Sequence, residues 1–527
     1  MPFALFTGPL AGTDVPGSGL TAVVSRSPLS ATIGDCLAGG SLGCSIKRAG
    51  YDGIVISGRA GRLRGLEIDG RRVTITDATV LEKAGTAATH ASLTGKGATV
   101  TIGPAAENGV LFANLTIDGR FATGRNGLGL VMASKNLKYV AVRGAETTTV
   151  QDRPALQEAR EDIMRLIAAS SFLSGEQGIA AFGTGALFDL LDTRRMMPTR
   201  NFTATHFDGA RAMNAFAYRT DYHPVMEGCE GCPVRCLPRS PEGFMMPGLE
   251  AMVHFGALLD NHDRSTVVSA NRICGDTGMD ATSAAVTLAA HAEITGRKLD
   301  KDGIESLLLD TAMGRGEGRE LSTGAARYCT ARGRPACAMT VKKQELPAYD
   351  PRGAYGMALG YALSTRGGCH RSSYPITHEI LRKPVATDRF SFDGKARIIK
   401  ISEDTIAVAE SLSVCPLLLC AASLEECARA YTAVTGVASS TQELLAAGQR
   451  IYYHERIMNT ACGFTAADDD LPARFFEHPG TGGNAIEIPA LSRDDFLAAR
   501  ARYYRIRGLT DNGLPTRHAA KAMGLPW

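Results

Sequence analysis

The chain has 527 residues, too many for one core and enough for about three domains of ordinary size. Its 57 basic and 54 acidic residues nearly balance and form no long run of one sign, which argues against nucleic-acid and membrane-surface partners and for a small ligand. The thirteen cysteines, an odd number scattered along the chain, read as reduced thiols of a cytoplasmic protein. The opening Met1-Pro-Phe-Ala-Leu-Phe6 has no basic flank, and Gly8 and Pro9 interrupt its apolar run, so no export signal is expected. The apolar stretches Ala284 to Ala290 and Val414 to Ala422 fall short of the roughly 20 residues that span a bilayer.

From Met1 to about Val150, short β-branched runs alternate with glycine: Thr21 to Ser25, Gly53 to Ser57, Arg72 to Thr76, Val100 to Ile102 and Tyr139 to Arg143. These predict a sheet-rich domain over residues 1–150. The loops Gly8 to Thr13, Ala38 to Gly43 and Gly124 to Gly129 carry minimal side chains, and their backbone N–H groups are free to meet a large flat ligand or simply to turn. Gly39-Gly-Ser-Leu-Gly43 also satisfies G-x-S-x-G, the pattern of a nucleophile elbow. That motif needs a preceding strand, and Ile33 to Leu37 reads as a poor one.

At Asp152, with Pro154 behind it, the periodicity becomes helical, and Leu156, Ile163, Met164 and Ile167 form one stripe. Further helices are expected over Ala186 to Leu191, Arg264 to Cys274 and Ala281 to Ile294, with Gly275 to Asp280 joining the last two. This gives a helical second domain over 151–338. No Walker A or dinucleotide glycine pattern occurs. A third domain, 339–527, opens on Thr340 to Gly353 and the glycine-rich Arg366-Gly-Gly-Cys-His370, then continues in helices at Leu424 to Val434, Thr441 to Met458 and from Ser492 to Arg507.

The segment with the clearest chemistry is Cys229-Glu-Gly-Cys-Pro-Val-Arg-Cys236. Three thiols spaced C-x2-C-x3-C in a Gly/Pro loop suit an iron–sulfur cubane better than a tetrahedral zinc, whose usual sequence pairs two C-x2-C units. A cubane needs a fourth ligand, and the next cysteine is as far away as Cys274, so the fold must supply it from a distant segment.

Taken together, Gly8 to Thr13, Ser27-Pro-Leu29, Ala49-Gly-Tyr-Asp52, Ala133-Ser-Lys-Asn-Leu-Lys138, Thr340 to Gly353, Arg366 to His370 and Arg502-Tyr-Tyr-Arg-Ile-Arg-Gly508 resemble the tungsten-containing aldehyde ferredoxin oxidoreductase family, in the family's order. The resemblance implies an α+β fold: a sheet-rich N-terminal pterin-binding domain followed by two mostly α-helical domains. It also implies tungsten or molybdenum held by two pterins, with magnesium, beside a [4Fe–4S] cluster. Aldehydes would be oxidised to carboxylic acids and the electrons passed to ferredoxin or a ferredoxin-like subunit. Carried over residue by residue, Cys229, Cys232 and Cys236 match the cluster triplet and Cys415 the distant fourth cysteine, with Cys420 as its rival. Glu250 and His370 match the positions proposed for chemistry, the carboxylate as base and the imidazole as hydrogen-bond donor to the carbonyl oxygen. Gly39, Ala122, Gly278, Met279, Asp280, Glu410 and Val414 match pterin-binding positions.

The sequence departs from the family at the cofactor pocket. Leu20 and Phe121 stand for arginines, Leu37 for an asparagine, Ser372 for a lysine and Gly275 for an aspartate, while Glu410 is a longer substitute for another aspartate. Each lost charge-assisted bond is worth roughly 1.5–3 kcal/mol, and Arg120, Arg371 and Asp276, each one residue away, are the expected compensators. The family's opening β segment is not found ahead of Gly8, so part of the first domain is expected to be absent or supplied by another chain. Ser269-Ala-Asn-Arg272 replaces the E-x-x-H pair that bridges subunits in some members, which argues against a metal-bridged dimer and leaves a homo-oligomer or hetero-complex open. Two rivals follow: an aromatic acyl-CoA reductase-like subunit of a larger electron-transfer complex, and a non-catalytic subunit that keeps the cluster and has lost the pterin.

Overall fold

A computed structural model describes residues 1–483 and 485–527. Its strands gather early in the chain. Strands β1 (Phe3–Phe6), β2 (Thr21–Arg26), β3 (Ile33–Ala38) and β4 (Gly53–Ile56) form an antiparallel sheet in the order β3-β2-β1-β4. Strands β5 (Arg64–Asp69), β6 (Arg72–Asp77), β7 (Ala98–Thr101), β8 (Thr116–Ile117), β9 (Phe121–Ala122) and β10 (Leu137–Arg143) form a second sheet, ordered β6-β5-β10-β7-β8-β9. Only the β10–β5 pair in that sheet is parallel. After Arg143 the chain is mostly helical, so the molecule is α+β with its sheets at the N-terminal end.

Two strands depart from the sequence reading: Phe3–Phe6 lies ahead of Gly8, where no opening β segment is expected, and Ile33–Ala38 reads poorly as a strand. Phe3–Phe6 is the central strand of the first sheet, pairing Leu5 with both Val23 and Ile54. Ile33–Ala38, with Gly34 and Asp35 inside it, pairs along its whole length with β2, and Asn459 accepts a hydrogen bond from Ile33 N at 2.8 Å. Tertiary pairing has overridden propensity there. Ser41 therefore does sit between a strand and the helix Leu42–Arg48, but its Oγ donates directly to Asp118 Oδ2 at 2.9 Å, with no imidazole between them. The hydrolase arrangement is not formed.

The helices follow their caps. Asp152 accepts from Ala155 N at 3.0 Å to start Arg153–Ala169, whose buried face is Leu156, Ala159, Ile163 and Ile167; Met164 lies only at its margin. The helix Arg264–Thr277 runs three residues past its expected end, and Gly278 then turns in the left-handed region at φ +72°. Ser492 caps its helix as the sequence indicates, and Ser423 and Ser440 cap theirs in the same way. One long helix, Lys395–Ser411, was not evident from the sequence, and it carries Glu410.

One apolar core runs from Phe3 to Ala520, so the sheets and helices share an interior; a second packs around the cysteine segment. Buried ion pairs lock several of the characteristic segments. Lys138 is paired with Glu107, Arg352 with Asp350 at 2.6 Å, Arg507 with Glu403 at 2.7 Å, and Asp469 takes both Lys342 and Arg456. Such pairs are costly to break from one side, which ties these segments to folding rather than to chemistry.

Candidate active site and cysteine cluster

The cysteine segment forms the tip of an antiparallel ribbon in which Val225–Glu227 pairs with Leu237–Arg239. The ribbon brings Cys229, Cys232 and Cys236 against the start of Pro416–Cys420, where Cys415 N donates to Gly17 O at 2.9 Å. Burial pushes the Cys229 thiol up to about 12, and Cys415 and Cys232 add to it. Burial likewise raises Cys236, with Cys415, Cys229 and Cys232 all contributing. Cys420 differs: burial alone raises it to about 12, and no thiol of the triplet acts on it. Cys229, Cys232, Cys236 and Cys415 therefore lie near one another, and Cys420 neighbours Cys415. Gly39 makes room for them, since a Cβ there would lie 2.5 Å from Cys229 Sγ and 2.8 Å from the Phe121 ring. Among the described residues, no three Cys, His or carboxylate side chains are arranged to hold a single metal ion.

A second cluster forms where Glu250, in the first turn of the helix Leu249–Phe255, meets the loop carrying His370. Glu250 Oε1 lies 3.7 Å from His370 Nε2, and Ala348 N donates to Glu250 Oε2 at 3.0 Å. Burial pushes the Glu250 carboxyl up to about 7, opposed by Arg125 and the Ala348 N–H and reinforced by Asp280. The side chain still keeps 30% of its exposure, so a carboxylate deep in the protein faces open space. Burial also holds His370 well below the ordinary histidine range, helped by Arg125, Arg371, His254 and Arg366. A basic carboxylate thus stands beside a neutral imidazole, as acid–base chemistry near neutral pH requires. The rings of Tyr349 and Tyr374, joined through their hydroxyls at 2.8 Å, pack 5.7 and 6.3 Å from the His370 ring.

Glu410 lies in a separate cavity of about 480 Å³ between the first sheet, the helix Lys395–Ser411 and the helix Thr441–Ala461. Arg366 bridges Glu410 and Asp35, reaching Asp35 Oδ2 at 2.5 Å. Asp35 Oδ1 and Glu410 Oε1 are buried without a hydrogen-bond partner. Burial raises Asp35 to about 6 and nearby Glu455 to about 8. Arg371 joins this cavity to the His370 loop, donating to Leu37 O at 3.0 Å and standing 3.8 Å from Glu410 Oε1.

The other expected pterin positions have local partners. Asp280 caps the helix Ala281–Thr295, accepting from Ser283 N at 2.7 Å, and burial raises its carboxyl. Asn114 Nδ2 donates to Met279 O at 3.1 Å, and Asn114 N donates to Gly278 O. Val414 is buried behind the Cys415 turn, and Ala122 is exposed at the end of β9. Among the expected compensators, only Arg371 enters the site. Arg120 instead pairs with Glu227 at 2.8 Å, and Asp276 Oδ1 accepts from Ala87 N at 3.3 Å. Leu20, Leu37, Phe121 and Ser372 are all buried.

Sequence reasoning overlooked Arg125, Arg366, Asp35 and Glu455. Arg125 lay within a glycine loop already singled out, flanked by Gly124 and Gly127, and its charge was the available signal. Asp35 and Glu455 had none, because one sits in a strand that reads poorly and the other in an ordinary amphipathic helix.

Residues 1–144 match the family described as aldehyde ferredoxin oxidoreductase, N-terminal domain, and residues 158–525 match domains 2 and 3 of the same family. The chain is 31% identical to a tungsten-containing aldehyde ferredoxin oxidoreductase of Pyrococcus furiosus, covering 98% of this chain and 89% of the relative. Its counterpart in Thermococcus kodakarensis is 32% identical with the same coverage. An aliphatic sulfonate oxidoreductase, WOR-like subunit, of Pyrococcus furiosus is 25% identical over 99% of this chain and 87% of its own. Among solved structures, the active site complex BamBC of benzoyl coenzyme A reductase with 1,5-dienoyl-CoA superposes with a TM-score of 0.84 at 20% identity. That match covers 99% of this chain and 89% of the other, and it establishes a shared fold.

Proposed function

The chain belongs to the aldehyde ferredoxin oxidoreductase family, and from that premise we propose that it oxidises an aldehyde to a carboxylic acid with a tungsten or molybdenum bis-pterin, accompanied by magnesium. Electrons leave through a [4Fe–4S] cluster to ferredoxin or a ferredoxin-like subunit. The observation that carries this reading is the pairing of Glu250 with His370 at 3.7 Å, a carboxyl raised to about 7 against an imidazole held neutral.

The residues present fit both groups. Cys229, Cys232, Cys236 and Cys415 lie together at the edge of the second apolar core and would hold the cluster through four thiolates. The 480 Å³ cavity offers unpartnered oxygens on Asp35 and Glu410 to the N–H-rich edge of a pterin, and Arg366 and Arg371 supply positive charge. This supports retention of the pterin in spite of Leu20, Leu37, Phe121 and Ser372, against the non-catalytic alternative. When bound, the groups supply a Lewis acid, a two-electron acceptor and a one-electron relay.

The chain's own residues supply the proton chemistry. Glu250, ionised above about pH 7, takes a proton from the water that becomes the second carboxylate oxygen. His370 donates a hydrogen bond to the carbonyl oxygen and, being neutral, does so without a buried charge to compensate. Tyr349 and Tyr374 wall the space beside it with aromatic surface.

All thirteen cysteines are free, consistent with a reducing cytoplasm, and no helix among the described residues is long and apolar enough to cross a membrane. The test is metal content and turnover of anaerobically purified protein from cells given both metals. About four irons with one tungsten or molybdenum per chain, and aldehyde-dependent reduction of a viologen dye, are expected. Irons without the heavier metal, and no dye reduction, would overturn the reading in favour of an electron-transfer subunit.

A further inference from the structure

Arg125 reaches from the Gly124–Gly127 turn into the loop that carries His370. Its Nη1 donates to Glu345 O at 2.9 Å and to Gly368 O, while Nη2 faces Cys369 Sγ at 3.4 Å and His370 Nδ1 at 3.5 Å. A guanidinium has donors only. Whatever approaches His370 Nδ1 from Arg125 therefore meets it as an acceptor, and a ring with a bare Nδ1 must carry its single proton on Nε2. Nε2 is the nitrogen that faces Glu250 Oε1 at 3.7 Å. That gap is too long for a direct hydrogen bond, and an oxygen seated to one side of it can lie within hydrogen-bond reach of both atoms.

We propose that Arg125 is the positioning residue of this site, fixing His370 as the Nε2–H tautomer so that its one donor points at the substrate oxygen beside Glu250. The inference rests on the roles given above to Glu250 and His370. The same guanidinium acts on both members of the pair. It opposes protonation of His370, together with Arg371, Arg366 and His254, while Tyr349 and Tyr374 close the remaining side of the ring. It also favours the ionised form of Glu250 against burial and Asp280, with His254 Nδ1 3.4 Å from Glu250 Oε2. One cation therefore keeps the donor neutral and correctly oriented and keeps the base available.

The decisive measurement is neutron diffraction from crystals of the wild-type holoenzyme exchanged into deuterium oxide at neutral pH. Deuterium on His370 Nε2 and none on Nδ1 is expected; deuterium on Nδ1, or on both nitrogens, overturns the proposal. Kinetics of Arg125→Gln and Arg125→Lys provide the second readout. The glutamine variant should lose about tenfold or more in kcat, as loss of a well-placed proton donor does. The rising limb of its kcat/KM profile should move to higher pH, and the lysine variant, which keeps the charge, should hold that limb nearer the wild-type position. An Arg125→Gln enzyme with an unmoved limb would also overturn the proposal, since loss of a loop staple can lower kcat but leaves the pH limb in place. The neutron result requires no turnover, so a wild-type protein that carries its proton on Nε2 but fails to oxidise aldehydes would sink the functional reading and leave this one standing.

Discussion

Glu250 offers the sharpest test of the site, because its carboxyl is predicted to limit both activity and stability over one pH window. Burial moves its protonation from the ordinary 4.5 to about 7. At about 1.4 kcal/mol per pH unit this is about 3 kcal/mol, trimmed to about 2 by the exposed part of the side chain. The sign follows from linkage: the folded chain holds this proton more tightly than the unfolded one, so the contribution is fully present below pH 4.5 and is lost as pH rises through about 7. Glu250→Gln has no such titration. Relative to wild type it should therefore gain about 2 kcal/mol between pH 4 and pH 8, read as the difference in unfolding midpoints of cluster-loaded, tungsten-free protein. Activity should move oppositely. Wild-type kcat/KM for an aldehyde, with a viologen acceptor, should rise about tenfold from pH 6 to pH 8 as the base ionises, and Glu250→Gln should lose a factor of about 10²–10⁴. A wild-type profile flat across that range, together with a variant whose stability parallels wild type at every pH, would refute the reasoning.

Cys415→Ala should abolish the full complement of cluster iron, whereas Cys420→Ala should keep it; iron analysis with electron paramagnetic resonance of the reduced protein separates them, and the reverse result would reassign the fourth ligand. Gly39→Ala places a methyl group 2.5 Å from Cys229 Sγ and 2.8 Å from Phe121, so the purified protein should lose most of its iron and unfold at lower temperature; normal iron content would show that the ribbon can move aside. Arg366→Met strands Asp35 and Glu410 without their shared cation, at about 3–5 kcal/mol of stability. Pterin released from that variant and measured by fluorescence should fall well below one-half of wild type, and unchanged pterin content would show that Arg366 only balances charge.

The sequence made the helical elements legible wherever a cap and a stripe coincided, as at Asp152 with Leu156 and Ile163. It failed where long-range pairing did the work. Ile33–Ala38 has a glycine and an aspartate inside it, and six register pairs with β2 make it a strand all the same. The helix Lys395–Ser411 mixes buried Glu403 and Asp404 into its apolar face, which hides the periodicity; both acids are neutralised by Arg507, about a hundred positions away. At the site, the cysteine spacing and the Gly-Gly-Cys-His370 segment were readable because motif chemistry is local. Arg125, Asp35 and Glu455 were not, since their meaning comes only from what the fold sets against them.

The altered pocket shows how a charge can be kept while its address changes. An arginine and a lysine expected at Phe121 and Ser372 are replaced by a buried ring and a buried hydroxyl, the latter hydrogen-bonded to Ser364 at 2.8 Å. Yet the cavity beside Glu410 has two guanidinium groups, Arg366 and Arg371, both arriving from the loop that also carries His370. That places the charge near the cavity and the imidazole of the acid–base pair on one short segment, Arg366 to Arg371, while Glu250 comes from the helix Leu249–Phe255. Arg125 then clamps the same segment through Gly368 O and Cys369 Sγ. A segment tied at both ends in this way has little freedom to rearrange, and displacement at Arg366 is transmitted to His370 four residues on. Substitutions in the cavity should therefore disturb acid–base chemistry at Glu250 even though Glu410 and Glu250 belong to separate clusters.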